Sequence, residues 1–126
     1  MYRCLAAAVA AVSLVGAASA QSLRAFPADA LRGEIVVGQS PNVQLNGQAA
    51  RLGAGARLRG PDNLVRMPAS LIGQKFLVHY TVDTQGLLRE VWILSETEAA
   101  RKPWPATREE AASWRFDAIA QTWIKP

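Results

Sequence analysis

At 126 residues the chain is short for two full domains, and its one cysteine rules out a disulfide framework or a thiolate metal site. It carries one histidine and a net charge of +4, and half of its residues are apolar. That balance excludes a disordered polyelectrolyte and fits one small packed domain.

Arg3 precedes an apolar run from Leu5 to Ala18, which closes on Ala18-Ser19-Ala20. This is the order of a cleavable export signal, with the cut expected between Ala20 and Gln21 and a periplasmic or secreted destination. A membrane anchor needs about 20 strongly apolar residues. The run here is shorter and rich in alanine, so no stable anchor is expected after cleavage. Cys4 lies ahead of the run, on the wrong side for lipid attachment. Residues 21–126 then hold no cysteine and must be stabilised by packing alone.

Residues 21–32 form an N-terminal segment, where Pro27 and Gly33 bracket a predicted short helix. Residues 33–94 carry β signals. Ile35-Val36-Val37 is a branched run, and Val43-Gln44-Leu45 alternates ahead of Asn46-Gly47. That dipeptide predicts a two-residue hairpin, because a type I′ turn needs positive φ at both central positions. Ala56-Arg57-Leu58-Arg59 alternates again, and Gly60-Pro61-Asp62-Asn63 supplies a turn after which Leu64 to Met67 is expected to return as a strand.

Lys75 to Val82 is the strongest strand signal. Phe76, Val78, Tyr80 and Val82 fall on one face, and Leu77, His79 and Thr81 on the other. Asp83 to Gly86 turns the chain, and Leu87 to Leu94 returns. Both faces of this pair carry apolar residues, which places it at the centre of the sheet.

Residues 95–126 read as a helical segment packed on the β domain. Ser95 with Glu98, and Thr107 with Glu110, have capping-box spacing. The second box opens a predicted helix to about Thr122, with Ala112, Phe116, Ile119 and Trp123 on one stripe and Trp114 nearly opposite.

Five of the basic residues, Arg51, Arg57, Arg59, Arg66 and Lys75, fall between positions 51 and 75 against Asp62 alone. Such a local excess attracts anionic ligands, and Arg57, Arg59 and Arg66 are the candidate ligand-binding residues. Nucleic acid is not an expected partner of an exported chain. His79 is the sole histidine, so a triad or metal site would need partners from elsewhere. No nucleotide loop, nucleophile elbow or H-E-x-x-H occurs, and no cofactor or metal is expected. Glu96 with Glu98, and Glu109 with Glu110, lie in first turns of predicted helices, where capping accounts for them. Trp92 and Trp123 read as core. Trp104, between two prolines, and Trp114 are candidates for docking on a partner.

Gly33-Glu34-Ile35-Val36, Leu45-Asn46-Gly47-Gln48, Leu58-Arg59-Gly60, Gly73 to Val78 and Asp83-x-x-Gly86 follow one another over residues 33–94. In this order they resemble small exported bacterial domains of unassigned function built as OB-like or SH3-like barrels. The resemblance implies a fold more than an activity. Separately, Tyr80 to Gly86 followed by Val91 to Ser95 resembles the strand pair of the TonB C-terminal domain, with Trp114-Arg115-Phe116 similar to its later segment. The export signal and the missing Pro-rich spanning segment depart from that family. The expectation is a mainly β protein: a five- or six-stranded, strongly bent antiparallel meander closed into a barrel, with a C-terminal helix. Its expected function is a non-catalytic binding module with a basic face. The alternatives are an accessory envelope protein docking through Trp104 and Trp114, a TonB C-terminal-like module, or a hydrolase using His79.

Overall fold

A computed structural model describes residues 24–126. The expected export signal over residues 1–20, its expected cleavage point and Cys4 lie outside the described residues. Five strands close a barrel: β1 (Leu31–Val37), β2 (Asn42–Leu45), β3 (Gln48–Arg59), β4 (Lys75–Val82) and β5 (Leu88–Ile93). Two short helices follow, α1 (Glu96–Ala99) and α2 (Arg108–Ser113), then a small hairpin of β6 (Arg115–Asp117) and β7 (Thr122–Ile124). The protein is mainly β, consistent with a small OB-like or SH3-like barrel.

The order around the barrel is β1-β2-β3-β5-β4, with β4 returning to β1. Four of these junctions are antiparallel, but β3 and β5 run parallel. The barrel is therefore not the simple meander that the sequence suggests. The segment between β3 and β4 carries the chain past the slot that β5 later fills, and this removes every free edge.

The β2–β3 hairpin is as expected. Leu45 faces Gln48 across the turn, with φ at 53° for Asn46 and 80° for Gly47. The Asn46 side chain also accepts from the Glu34 amide at 2.9 Å, which ties the turn to β1. At the next reversal, Asp83 Oδ1 accepts from the amides of Gln85 at 2.8 Å and Leu87 at 3.0 Å, and Gly86 takes φ 81°.

Three expected elements differ. No helix forms in residues 24–32; a single turn there brings the Ala30 amide to the Pro27 carbonyl at 3.1 Å, and β1 begins at Leu31. Leu64 to Met67 does not build a strand. One bridge from Val65 to Arg59 forms before Pro68, which lacks a donor, opens a short 3₁₀ turn. The long C-terminal helix is also overturned, because α2 stops at Ser113 and Trp114 is extended at φ −91° and ψ 161°. Trp114 and Phe116 are two residues apart, a strand spacing that turns both toward the barrel. Asp117 then accepts from the amides of Ile119 and Ala120, reversing the chain into β7. Ile119, expected on the buried stripe, sits at the hairpin tip and is 99% exposed.

Two cores result. Inside the barrel, Leu31, Ile35, Val37, Val43, Leu58, Val78, Tyr80, Leu88, Val91 and Ile93 pack together. Outside it, Phe26, Ala30, Trp92, Leu94, Trp104 and Trp123 form a second layer, with Trp114 and Phe116 against it. Val78 to Tyr80 and Val91 to Ile93 are thus buried on both faces, as the two-sided apolar pattern predicts, while Leu77 and Arg89 stay exposed.

Candidate functional site

Strand alternation sorts the outward side chains into a covered face and an open one. Leu58, Val78 and Val91 point into the barrel, so their neighbours point out. Register then aligns Arg59, Trp92, His79 and Arg32 in one row across β3, β5, β4 and β1. The second layer lies over this row. The Trp104 ring stacks on His79 at 4.0 Å between centroids, and the Phe26 edge meets the same imidazole at 4.4 Å.

His79 is almost wholly enclosed. Its Nε2 accepts from Arg32 Nε at 3.2 Å, which assigns the ring proton to Nδ1, and that nitrogen has no partner among the described residues. Burial, with added repulsion from Arg32, Arg24 and Arg101, lowers its pKa to about 2. An imidazole sealed from solvent and held neutral is poorly placed to carry protons, because a general base works near neutral pKa and within reach of substrate. His79 is a packing residue.

Two further charges sustain this layer. Arg24 donates through Nε to Glu98 at 2.8 Å and also reaches the carbonyls of Gly60 and Ile93. Burial alone would raise the Glu98 carboxyl, but the hydrogen bonds from Arg24 and Ser95 outweigh it and hold the group below its ordinary value. Arg32 spans from His79 to the carbonyls of Ala99 and Glu98, and burial lowers its pKa. The Ser95–Glu98 capping box forms as the spacing predicts, yet the same Glu98 also neutralises Arg24 across 74 positions of sequence. Local spacing carries no sign of that second role.

The open face belongs to β1, β2 and β3. Asn42, Gln44, Ala49 and Arg51 are exposed there, and register pairs Asn42 with Arg51 and Gln44 with Ala49. Together with Val36, Val37, Gly38, Val43 and Ala50 they line a groove of about 530 Å³. Sequence patterning missed this groove, because alternation reports only that these positions face solvent.

Of the three candidate arginines, Arg57 and Arg59 lie at the end of β3 and Arg66 in the segment that follows it. Arg57 is exposed and lies beside Glu90 in register. Arg59 is half-buried beside Trp92, and its Nε lacks a partner among the described residues. Arg66 pairs with Asp62 at 2.8 Å and lies over Gly60, where a Cβ would come within 2.7 Å of its Nε. Among the described residues Arg57 therefore has no ion pair, while Arg66 is already paired. Trp104 is buried, with Nε1 donating to the Ala30 carbonyl at 2.9 Å, and is closed to a partner. Trp114 is half-buried, with Lys125 Nζ over its ring at 5.3 Å.

Among the described residues no group of three or more His, Cys, Asp or Glu is arranged to hold a metal ion. No described helix is long and apolar enough to cross a membrane. Compared with protein-family models, curated proteins and solved structures, the chain matches none.

Proposed function

We propose that this protein is a non-catalytic binding module that works outside the cytoplasm after export. It holds an anionic ligand along the open face of its barrel, with Arg51 and Arg57 as the charged contacts. The observation that carries the reading is the asymmetry of the barrel: one outer face is sealed by a second core, while the β1–β2–β3 face keeps an uncovered groove. OB-like barrels take oligosaccharides and oligonucleotides on the face of their second and third strands, and that analogy of fold supports the same placement here. The basic excess of residues 51–75 supports an anionic ligand, now with Arg51 at the groove and Arg57 further along β3.

Docking through Trp104 is disfavoured, since its ring would first have to leave the second core. Titration of the purified protein with heparin-type polysaccharide, polyglutamate and anionic vesicles tests the reading by amide shifts. Shifts along β1 to β3 are expected, weakening as salt screens the charges and vanishing in an Arg51→Glu, Arg57→Glu double variant of unchanged stability. Silence of that face toward all three probes at low salt removes the reading. Export has its own check: the protein recovered from the envelope fraction should begin at Gln21.

A further inference from the structure

We propose that the hollow between β3 and β5 is a subsite for one sugar-acid unit, its carboxylate held by Arg89 and its hydroxyls by Asp83 and Glu90. The inference rests on the binding reading above and narrows it to a ligand class and a place.

The pairing of β3 with β5 jumps from Leu52 opposite Leu88 to Arg57 opposite Glu90, so Gly53 to Ala56 face Arg89 alone. The surplus backbone breaks the ladder with β5. It leaves a hollow of about 360 Å³ lined by residues 53–57, Asp83 and residues 88–90. A second hollow of about 350 Å³ shares Asp83 and Arg89 and adds Val82, Thr84 and Arg108. This double hollow begins at Gly53, two residues beyond Arg51 of the groove, so a chain-like ligand following β3 would reach it.

Its chemistry is mixed. Arg57, Arg89 and Arg108 are exposed, and none forms an ion pair among the described residues. Facing them are two carboxylates with oxygens to spare. Asp83 uses Oδ1 for the turn amides, while its Oδ2 lies 3.6 Å from where a Gly53 Cβ would stand. Glu90 Oε2 is buried and has no donor among the described residues. With no accessible surface, Oε2 is closed to a ligand, and the contact Glu90 offers the hollow is its other oxygen, which accepts from no described residue.

Three guanidiniums beside two carboxylates favour a ligand that offers both an anion and hydroxyl donors. A bare anion gains the arginines but meets repulsion from Asp83 and Glu90. A neutral sugar satisfies the carboxylates and leaves the guanidiniums idle. No aromatic residue lines either hollow, so a nucleobase finds nothing to stack on. Gly53 keeps the floor clear, since a Cβ there would stand 3.2 Å from the Leu88 carbonyl.

Titration of the ¹⁵N-labelled purified protein with glucuronate, glucose and inorganic phosphate tests the assignment. Glucuronate is expected to shift the amides of residues 53–57 and 83–90, and glucose and phosphate to bind at least tenfold more weakly. Arg89→Gln should weaken glucuronate at least tenfold at unchanged denaturation midpoint, and Glu90→Gln should weaken it several-fold without strengthening glucose. Equal binding of glucose or of phosphate overturns the proposal, as does insensitivity to Arg89→Gln. If anionic polymers shift only residues 42–51, the subsite fails and the broader binding reading survives. Silence toward polymers and glucuronate alike defeats both.

Discussion

Replacing Trp104 by alanine separates packing from docking most sharply. The ring is 7% exposed and stacks on His79. It also meets Phe26 at 5.9 Å, Phe116 at 5.9 Å and Trp123 at 6.0 Å. Truncating a buried tryptophan to alanine costs about 3–5 kcal/mol, because transfer energy is lost and the neighbours close the cavity only in part. The missing indole N–H also leaves the Ala30 carbonyl without its donor, an added cost of roughly 1 kcal/mol. A loss near 4 kcal/mol is expected, against a total of about 5–15 kcal/mol for a domain of this kind. Urea unfolding followed by far-ultraviolet circular dichroism measures it, with the slope m reporting whether the denatured state has changed. An exposed docking tryptophan would change stability by no more than about 0.5 kcal/mol. A measured loss below about 1 kcal/mol would refute the second core as described.

Other consequences are testable with the same protein. The His79 carbon-bound ring protons should show no titration between pH 8 and pH 4.5, since the folded imidazole stays neutral down to about 2; an inflection between pH 5 and 7 would contradict its enclosure. Because the unfolded imidazole takes a proton below about pH 6.5, His79 stabilises the fold fully above that pH. It withdraws that support by up to about 1.4 kcal/mol per unit as pH falls toward the folded value. Glu98, whose folded carboxyl is held low, adds stability that is complete above the ordinary glutamate range near 4.3 and is lost as pH drops below it. Glu98→Gln should flatten that acid limb in a pH series of unfolding midpoints and cost about 3 kcal/mol at pH 7 by leaving Arg24 buried without its counter-charge. Gly47→Val should lower stability by roughly 1–3 kcal/mol, because φ of 80° disfavours any branched side chain.

The barrel was legible wherever the signal is local. Asn46-Gly47 declares its turn through backbone sterics alone, and the alternation of Lys75 to Val82 declares its strand. Asp83 and Gly86 do the same for the next reversal. The parallel partnership of β3 with β5 has no such local mark, since it depends on the chain bypassing an empty slot and returning to fill it. At the C-terminus, Phe116, Ile119 and Trp123 have helical spacing, yet Trp114 and Phe116 also have strand spacing. The competition is decided by the barrel, which offers an aromatic platform of Trp92 and Trp104 that an extended Trp114-Arg115-Phe116 covers from one side. Of the candidate site, exposure of Arg51 and Arg57 follows from alternation. The groove and the β3–β5 hollow do not, because both arise from a register that only the closed barrel defines.

The second core also explains why this barrel presents a single face. A closed five-stranded sheet has an outer surface all round, and hydrophobic residues on the outward side of β4 and β5 would be a liability if left wet. Here Trp92, though not Leu77, is covered by chain from both ends: Phe26 from before β1, and Trp104, Phe116 and Trp123 from after β5. Arg24 joins those ends, since its guanidinium bonds to Glu98 of α1 and to the carbonyls of Gly60 and Ile93 at the barrel rim. In the binding role proposed above, stability and recognition fall on different surfaces. Substitutions on the covered row, at His79 or Trp92, should move unfolding midpoints and leave ligand contacts on β1 to β3 intact. Substitutions at Arg51, Arg57 or Arg89 should do the reverse, because these side chains are exposed and form no ion pair among the described residues. A variant that shifted both together would mean that the two faces communicate through β3, whose ladder with β5 is broken at residues 53–56.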